Sequence, residues 1–487
     1  MNYFMSILIL MSVISFSTEA STIQWQNCSG LKFRHWFKDP PNSELQCGYL
    51  DVPLKYISGT SLNEQGTGNV VRLALTRLPA KGVSKGSLLV ISGGPGYFGI
   101  NPWVDIEGSA KKIHESWDIV GYDPRGVGQS KPIIDCTMIE EPSTPENYNK
   151  DLINACVKYT GIDVLKHMGT DEAASDVDRI RQAVGDKKIT ALAYSYGTQV
   201  GLIYAERFPN NVRAMVLDGV VDIDEAKDSY LMRENQERGY QATFERFAAW
   251  CAKTKKCPLS ADKAVATQQY IDLLNKLHSS PLSRSDGQQV SANELRSLTT
   301  SLLIWHSSWP DLATVVRQLS KGVVGKKVEK ILSQQESDSI SNLSEDALNV
   351  IYCVDFSPAG LSQDDILYRR RKIKEAFPAI NFQPQEQDPV ELCDMWPWKS
   401  NFHSRRPASI PVLPQLLFVA QRYDPTTPWQ NAKNMATQFK GRLITLEGDG
   451  HTLALSGKEK CVDKAIIDYL NAPDKKQDDM TCHRQRH

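Results

Sequence analysis

The stretch that most constrains the fold is Ala191-Leu192-Ala193-Tyr194-Ser195-Tyr196-Gly197. It continues an apolar run over residues 188–193, which is typical of a buried strand, and it precedes a helical pattern over residues 199–208. A serine between a strand and a helix, with small residues two positions before and after it, is the pattern of a nucleophile elbow. The usual pattern has glycine two positions before the serine, and here a methyl group is accommodated at Ala193. The stretch therefore predicts a serine oxygen raised above the end of a parallel strand.

Further apolar runs of strand length lie on both sides of this stretch, and they alternate with helical patterns. The predicted strands cover residues 87–92, 117–122, 212–221, 415–420 and 442–446. A helix is predicted from Thr170, as its N-cap, to a stop at Gly185. This alternation predicts an α/β fold with a mostly parallel, doubly wound sheet and helices on both faces.

The alternation of strand and helix patterns stops after Val221, where helical patterns follow one another without a convincing series of strands. They cover residues 231–252, 264–277, 311–319 and 364–376. An insertion of this kind between two strands is typical of a cap over a site at the strand ends. We therefore divide the chain into a core over residues 21–224, a helical cap over 225–404 and the rest of the core over 405–487, after a signal peptide over 1–20.

The N-terminus predicts export. Residues 4–16 form an apolar run of the length of a signal-peptide core, and Thr18-Glu19-Ala20 places small residues at positions −3 and −1 of a cleavage site after Ala20. We expect a secreted or periplasmic protein. No later run reaches the ~18 apolar residues of a membrane helix, so we expect no membrane association after signal removal.

The even number of cysteines fits an oxidising compartment, in which up to five disulfides can form. Their spacings are too irregular for a zinc site, so no metal is expected. Connectivity does not follow from sequence, and sequential pairing is our hypothesis because it closes five loops of modest length. The pairs are then Cys28–Cys47, Cys136–Cys156, Cys251–Cys257, Cys353–Cys393 and Cys461–Cys482.

Composition narrows the classes of partner. The 487 residues carry 56 Lys and Arg against 57 Asp and Glu, a formal net charge of −1. No long basic block is present, which argues against nucleic acid as a partner. Glycine spacings after the first strands fit neither a phosphate loop nor a dinucleotide fingerprint, so no cofactor is expected.

A serine hydroxyl needs an imidazole base, which is oriented by a carboxylate. Behind a nucleophile elbow, these partners follow in the order acid, then histidine, each after a later strand. Asp424 follows the strand pattern at 415–420, and His451 follows that at 442–446. Asp449 is a competing acid, but its place on the same tight loop as His451 makes it the poorer orienter. The sequence thus predicts a triad of Ser195, Asp424 and His451.

An acyl-transfer site also needs two backbone N–H donors for the oxyanion. One is expected from Tyr196, directly after the serine, and the other from the loop Ser92-Gly93-Gly94-Pro95-Gly96. Within this loop we favour Gly94 over Gly93.

Three motifs carry a resemblance to a known family. Ser-Gly-Gly-Pro-Gly at Ser92, Asp-Pro-Arg-Gly-Val-Gly-Gln-Ser at Asp123 and Ala-Tyr-Ser-Tyr-Gly-Thr at Ala193 resemble the prolyl aminopeptidase clan of α/β-hydrolases, and most closely its secreted tripeptidyl-aminopeptidase-like branch. The resemblance covers nearly the whole mature chain. It implies a serine exopeptidase whose partners are peptides with free N-termini.

An aminopeptidase must recognise an ammonium group, which calls for a carboxylate near the acyl pocket. The cap offers Glu234, Glu237, Asp355 and Asp394. We prefer Asp355, because the expected bond between Cys353 and Cys393 would fix it. Two further expectations concern neighbours of the site: Trp396 and Trp398 either wall the pocket or pack in the core, and Asp123 and Arg125 form a structural pair beneath it.

Two other functions remain open at this stage. A secreted carboxylesterase or lipase would use the same triad without amine recognition. A binding protein that keeps the fold without catalysis is the third reading, and the intact triad argues against it.

Overall fold

The computed structural model describes residues 23–28, 44–56, 69–100, 109–137, 147–225, 228–342, 344–356, 361–382, 391–398 and 413–484. The strands in these ranges are β1 (Gln26–Asn27), β2 (Gln46–Pro53), β3 (Val70–Leu78), β4 (Ser87–Ile91), β5 (Asp118–Tyr122), β6 (Ile189–Tyr194), β7 (Val212–Asp218), β8 (Leu282–Ser283), β9 (Gln289–Val290), β10 (Leu417–Tyr423), β11 (Arg442–Asp449) and β12 (Met480–His483). The helices are α1 (Ser109–His114), α2 (Tyr148–Tyr159), α3 (Ile162–Leu165), α4 (Thr170–Ala183), α5 (Tyr196–Arg207), α6 (Ser229–Thr254), α7 (Lys263–Ser279), α8 (Ala292–Leu303), α9 (Trp309–Ser320), α10 (Lys326–Asn342), α11 (Glu345–Phe356), α12 (Gln363–Ala376), α13 (Trp429–Gln438) and α14 (Lys460–Asn471). The expected signal peptide, residues 1–20, lies outside the described residues.

One sheet organises the core. Within the described residues its strand order is β1-β2-β3-β5-β4-β6-β7-β10-β11-β12. The pairs β1–β2, β2–β3 and β3–β5 are antiparallel, and the pairs from β5–β4 to β11–β12 are parallel. The predicted α/β fold with a mostly parallel sheet is confirmed.

Both faces of the parallel region are covered. Ala191 and Ala193 of β6 pack with α4 and α5, whereas Leu192 between them packs on the other face with α1 and α14. Successive residues of a strand point to opposite faces, so a strand covered on both sides reads as a continuous apolar run. This burial explains why these strands are visible in the sequence.

Two local expectations need correction. Helix α4 begins after Gly169, which is its N-cap, so Thr170 is the first helical residue and not the cap. Gly169 has no side chain to cap the helix, and the backbone N–H of Thr170 donates instead to the carboxylate of Asp355, at 2.9 Å. The antiparallel strands β2 and β3, at residues 46–53 and 70–78, are also absent from the expectations.

Helices α6 to α12 lie between β7 and β10 in the chain. A second apolar core, separate from those of the sheet, is built by α6, α7, α8, α9 and α10 around Phe244, Phe247 and Trp309. The short hairpin of β8 and β9 packs on it through Val290. This region begins directly after β7, at the carboxyl ends of the parallel strands.

The ten cysteines form five disulfides, in the sequential order expected: Cys28–Cys47, Cys136–Cys156, Cys251–Cys257, Cys353–Cys393 and Cys461–Cys482. Among the helices described, none is long and apolar enough to cross a bilayer.

Candidate active site

Ser195 occupies the tight turn between β6 and α5, with φ 53° and ψ −126°. L-residues rarely adopt a positive φ, and such strain persists only where the surroundings enforce it. Its backbone N–H donates to the carbonyl of Asp218, at 2.8 Å. A Cβ at Gly197 would lie 2.5 Å from the carbonyl oxygen of Ser92, so only glycine fits there. The close packing of strand and helix thus fixes Ser195 at the end of β6.

Asp424 and His451 form a buried pair at the ends of β10 and β11. Nδ1 of His451 lies 2.8 Å from Oδ2 of Asp424, and the two residues are 8% and 3% exposed. The other carboxylate oxygen of Asp424 accepts the backbone N–H groups of Thr426 and Thr427, at 2.8 and 2.9 Å. With Nδ1–H donating to Asp424, Nε2 is the nitrogen left to accept a proton.

His451 lies against the corner that holds Ser195. A Cβ at Gly219, where φ is +68°, would lie 2.8 Å from Cε1 of the His451 ring. Gly219 directly follows Asp218, whose carbonyl accepts the N–H of Ser195. The segment Asp218–Gly219 at the end of β7 therefore contacts both the backbone of Ser195 and the ring of His451.

The pKa of the His451 imidazole depends on the carboxylates around it. Burial alone would lower the pKa of His451, but the charge and hydrogen bond of Asp424, with a further contribution from Asp218, raise it above its ordinary value. Asp424 therefore favours the protonated form of the His451 imidazole.

Asp218 is a second buried carboxylate in this region, and it is absent from the predicted site residues. Its Oδ2 accepts the backbone N–H groups of Leu453 and Ala454, at 2.6 and 2.7 Å, and so anchors the segment after His451. Burial raises the pKa of Asp218 to about 6. In the sequence, Asp218 can be recognised as the last residue of a buried strand. It is followed by Gly219, against which the His451 ring packs.

The loop expected to supply the oxyanion donor approaches the serine closely. A Cβ at Gly93 would lie 2.9 Å from Cβ of Ser195 and 3.6 Å from its Oγ, so the peptide between Gly93 and Gly94 is adjacent to the Ser195 side chain. The N–H of Gly94 belongs to this peptide, and Gly94 has φ +107°. The other expected donor, Tyr196, is the first residue of α5, where backbone N–H groups are free of helical partners.

Thr427 contacts both Asp424 and His451, although it is absent from the predicted site residues. Its hydroxyl lies 3.0 Å from Oδ2 of Asp424 and 3.2 Å from Nδ1 of His451. The available signal was the spacing Asp424-Pro425-Thr426-Thr427, since an aspartate that bonds to backbone N–H groups two and three residues on is common in turns.

We expect Thr427→Val to lower kcat about tenfold with little change in KM, because a hydrogen bond to a charged group is worth about 1.5–3 kcal/mol. Steady-state kinetics on a chromogenic substrate measure the effect. Thr427→Ser keeps the hydroxyl and should restore most of the rate. A serine variant as slow as the valine variant would show that the methyl group, not the hydroxyl, matters.

The four acids expected to bind the substrate amine lie in different surroundings. Asp355 is 3% exposed, and its oxygens accept from the backbone and hydroxyl of Thr170 and from the hydroxyl of Tyr196, at 2.9, 2.7 and 3.1 Å. Burial raises its pKa to about 7. Glu234 pairs with Arg238 on the exposed side of α6. Asp355 thus joins α11 to the start of α4 and to the ring of Tyr196.

The side chains of the other two acids are largely buried within the cap. Asp394 accepts from the hydroxyl of Tyr230, at 2.7 Å, and lies 3.5 Å from Arg370. Glu237 lies 3.8 Å from Arg233, and its Oε2 is buried without a hydrogen-bond partner.

The expected neighbours of the site are arranged differently from the prediction. Arg125 forms a buried ion pair with Asp176, at 2.6 Å, and not with Asp123. Asp123 instead accepts backbone N–H groups of Gly99 and Gln129, at 2.9 and 2.7 Å. The cause is local geometry, since Asp123 turns toward the loop after β4 and the guanidinium reaches α4. The rings of Trp396 and Trp398 pack edge to face, with their centroids 4.9 Å apart. Both contact the apolar core, which agrees with the second of their two expected arrangements.

No group of three or more metal-ligating side chains occurs among the described residues.

Comparison with known proteins places this geometry in context. A family model described as alpha/beta hydrolase fold matches residues 86–458. The chain is 48% identical to the "Putative hydrolase YuaR" of Escherichia coli over 472 aligned residues. These residues cover 96% of this chain and 94% of the relative. It is 34% identical over 451 residues to "Serine protease Hip1" of Mycobacterium tuberculosis, with 87% and 84% covered.

Two relatives carry different activities in their names. "Carboxylesterase B" of Mycobacterium tuberculosis is 30% identical over 476 residues, with 92% of this chain and 87% of the relative covered. "Tripeptidyl aminopeptidase" of Streptomyces coelicolor is 26% identical over 491 residues, with 94% and 86% covered.

Proposed function

Because the chain belongs to the α/β-hydrolase family and is a serine hydrolase, we propose that it is a secreted or periplasmic exopeptidase of the tripeptidyl or prolyl aminopeptidase type. Ser195 attacks the carbonyl of the scissile bond while Nε2 of His451 takes its proton, and His451 then gives this proton to the leaving amine. Asp424 orients the imidazole, and the N–H groups of Tyr196 and Gly94 stabilise the oxyanion. Water releases the acyl-enzyme by the same steps.

In this proposal, catalysis and substrate binding are assigned to different predicted domains. The core at 21–224 and 405–487 carries the triad, and the cap at 225–404 binds the substrate amine. Export, with removal of residues 1–20, is part of the proposal, and the five disulfides support it because such bonds persist in oxidising compartments.

The observation that carries amine recognition is a cavity of about 310 Å³ in the cap, lined by residues of α6, of α11 and of the segment 391–394. Arg233, Glu391 and Asp394 line it, and Arg233 pairs with Glu391. Arg370 contacts both Glu391 and Asp394. Glu237 lies beside Arg233, and Arg296 adds a further positive charge near it, so three arginines and three carboxylates meet in this part of the cap. One carboxylate oxygen of Glu237 is nevertheless buried without a hydrogen-bond partner, and an ammonium group would supply one.

Glu237 is the carboxylate that we assign to the amine. Burial raises its pKa, so its charged form gains from a cationic partner. Its position on α6 is also close to the triad: Gln236, the preceding residue, donates to the carbonyl of Thr426, at 3.1 Å, and Tyr240, one turn later, contacts the hydroxyl of Thr426. Asp355 and Glu234 are less suited, since the first is enclosed by donors of the core and the second is paired at the surface.

We expect N-acetylation of a peptide anilide to lower kcat/KM by about 30-fold or more, because it removes the ammonium partner of a buried carboxylate. Anilides of one, two and three residues, free and acetylated, measure this and give the length of the released peptide. Glu237→Gln should raise KM for the free peptides and leave the acetylated ones unchanged.

Glu245→Gln is the matched control, since Glu245 lies two turns further along α6 and pairs with Lys263, at 2.8 Å. It should leave both substrate series unchanged. Equal hydrolysis of free and acetylated peptides would overturn amine recognition.

The second candidate function is that of a carboxylesterase, which the 30% identity to carboxylesterase B favours. The same triad serves ester substrates, but without a role for the buried carboxylate of Glu237. Fast hydrolysis of neutral nitrophenyl esters, together with no detectable cleavage of free peptide anilides, would establish this alternative in place of the exopeptidase.

A further inference from the structure

Helix α6 contacts both loops that carry the acid and the base. Near its middle, Gln236 and Tyr240 bond to Thr426, and the backbone at Gly239 is so close that a Cβ there would lie 2.5 Å from the carbonyl oxygen of Pro425. Two turns later, Arg246 reaches the end of β11. A helix of the cap thus forms part of the support of the triad.

The contact of Arg246 is well defined. Its Nε and Nη2 donate to the two carboxylate oxygens of Asp449, at 2.5 and 2.9 Å, in the parallel geometry that guanidinium and carboxylate groups favour. The guanidinium carbon lies 3.5 Å above the ring of Tyr423, the residue before Asp424. One side chain therefore touches the neighbours of both the acid and the base.

The segment that Arg246 holds ends in the catalytic histidine. Asp449 is followed by Gly450, with φ +142°, and then by His451. Trp305 of the cap forms a backbone bridge with Gly450, and Arg484 donates to the carbonyl of Asp449, at 3.1 Å. A glycine has little conformational preference of its own, so these contacts determine the approach of the chain to His451.

The pair also removes a competitor. Asp449 lies two residues before His451 and is a carboxylate that an imidazole can bind. With both oxygens on Arg246, it leaves His451 to Asp424.

We propose that Arg246 is a positioning residue for the catalytic histidine: through Asp449 and Tyr423 it holds the loops of His451 and Asp424 in register from the cap. This inference rests on the triad of the proposed function, and not on its peptide specificity. Arg246 is 40% exposed at its side chain, and such ion pairs add little to stability, so its replacement leaves the fold intact.

The test compares Arg246→Ala with the wild type by the rate of labelling with a fluorophosphonate, which reacts with an activated serine without amine recognition. We expect labelling and kcat to fall on the order of tenfold or more with KM within about twofold, because a small displacement of a catalytic group has a large effect on rate. The labelling rate and kcat of Asp449→Asn should fall by a similar factor. The double variant should be no slower than either single variant, since each substitution removes the same interaction. Arg246→Lys should recover only part of the rate, because an ammonium cannot make the paired contact.

Arg422→Ala is the matched control. Arg422 lies on the same strand as Tyr423, pairs with Glu447 of β11 at 2.9 Å and stacks on Trp429, but these partners belong to the core. It should keep its labelling rate. An equal loss in Arg422→Ala, or an unchanged rate in Arg246→Ala, would overturn the positioning role. Failure of the wild type to cleave peptides while it labels normally would overturn the peptide specificity alone.

Discussion

Ser195→Ala is expected to lower kcat by on the order of 10⁴-fold or more, because it removes the only oxygen that the proposed mechanism uses as nucleophile. Residual turnover would come from the oxyanion donors and from binding. The fold should be retained: alanine keeps a Cβ, the backbone stays at φ 53°, and the hydrogen bond from residue 195 to the carbonyl of Asp218 involves only main-chain atoms. We expect the free energy of unfolding to change by less than about 1 kcal/mol.

A fluorophosphonate probe followed by intact mass measurement tests this directly. The wild type should gain one label, and Ser195→Ala none. Ser456→Ala is the control, since its hydroxyl lies in the loop after His451 and accepts the N–H of Lys458, at 3.3 Å. Labelling of Ser195→Ala at the rate of the wild type would show that another residue is the nucleophile.

The parallel part of the sheet could be predicted because its strands are buried on both faces. The only polar groups in the side chains of strand β6 are the hydroxyls of Thr190, which is buried, and of Tyr194 at its end, so the strand reads as one apolar run. Strand β3 is different: Arg72 and Arg77 interrupt it, and it pairs in an antiparallel manner near the edge of the sheet. A strand with one partly exposed face has a weaker apolar signal, and β2 and β3 were missed for this reason.

Chain order was enough to nominate the triad, because the ends of parallel strands meet at one edge of the sheet. Residue spacing could not predict which side chains far apart in the chain form ion pairs. Arg246 and Asp449 are 203 positions apart, and Arg125 and Asp176 are 51 apart. Sequence also indicated that Asp355 lies on a cap element near Cys353, but not which side of the helix it occupies. In the structure Cys353 lines the cavity, whereas Asp355 faces Thr170.

The second large effect is expected for Asp424→Asn, with kcat lower by on the order of 10³ to 10⁴-fold. An amide cannot stabilise the imidazolium, and it can present a hydrogen-bond donor to Nδ1, which favours the tautomer with the proton on Nε2. That tautomer cannot accept the proton of Ser195. Thr427 and the backbone N–H groups that now hold the carboxylate would keep the asparagine in place.

The pH dependence of kcat/KM gives an independent readout of the same change. Asp424 raises the pKa of His451, and only the neutral imidazole acts as a base, so the wild type should lose activity as the pH falls through this raised pKa. Without the charge of Asp424, burial is left as the dominant influence and lowers the pKa, so the acidic limb of Asp424→Asn should lie at lower pH. Asp449→Asn keeps Asp424, and its acidic limb should stay near that of the wild type. If Asp424→Asn lost less than about tenfold in kcat and kept its acidic limb, a different carboxylate would have to orient His451. Asp218 would be the next residue to replace, because its charge also raises the pKa of His451.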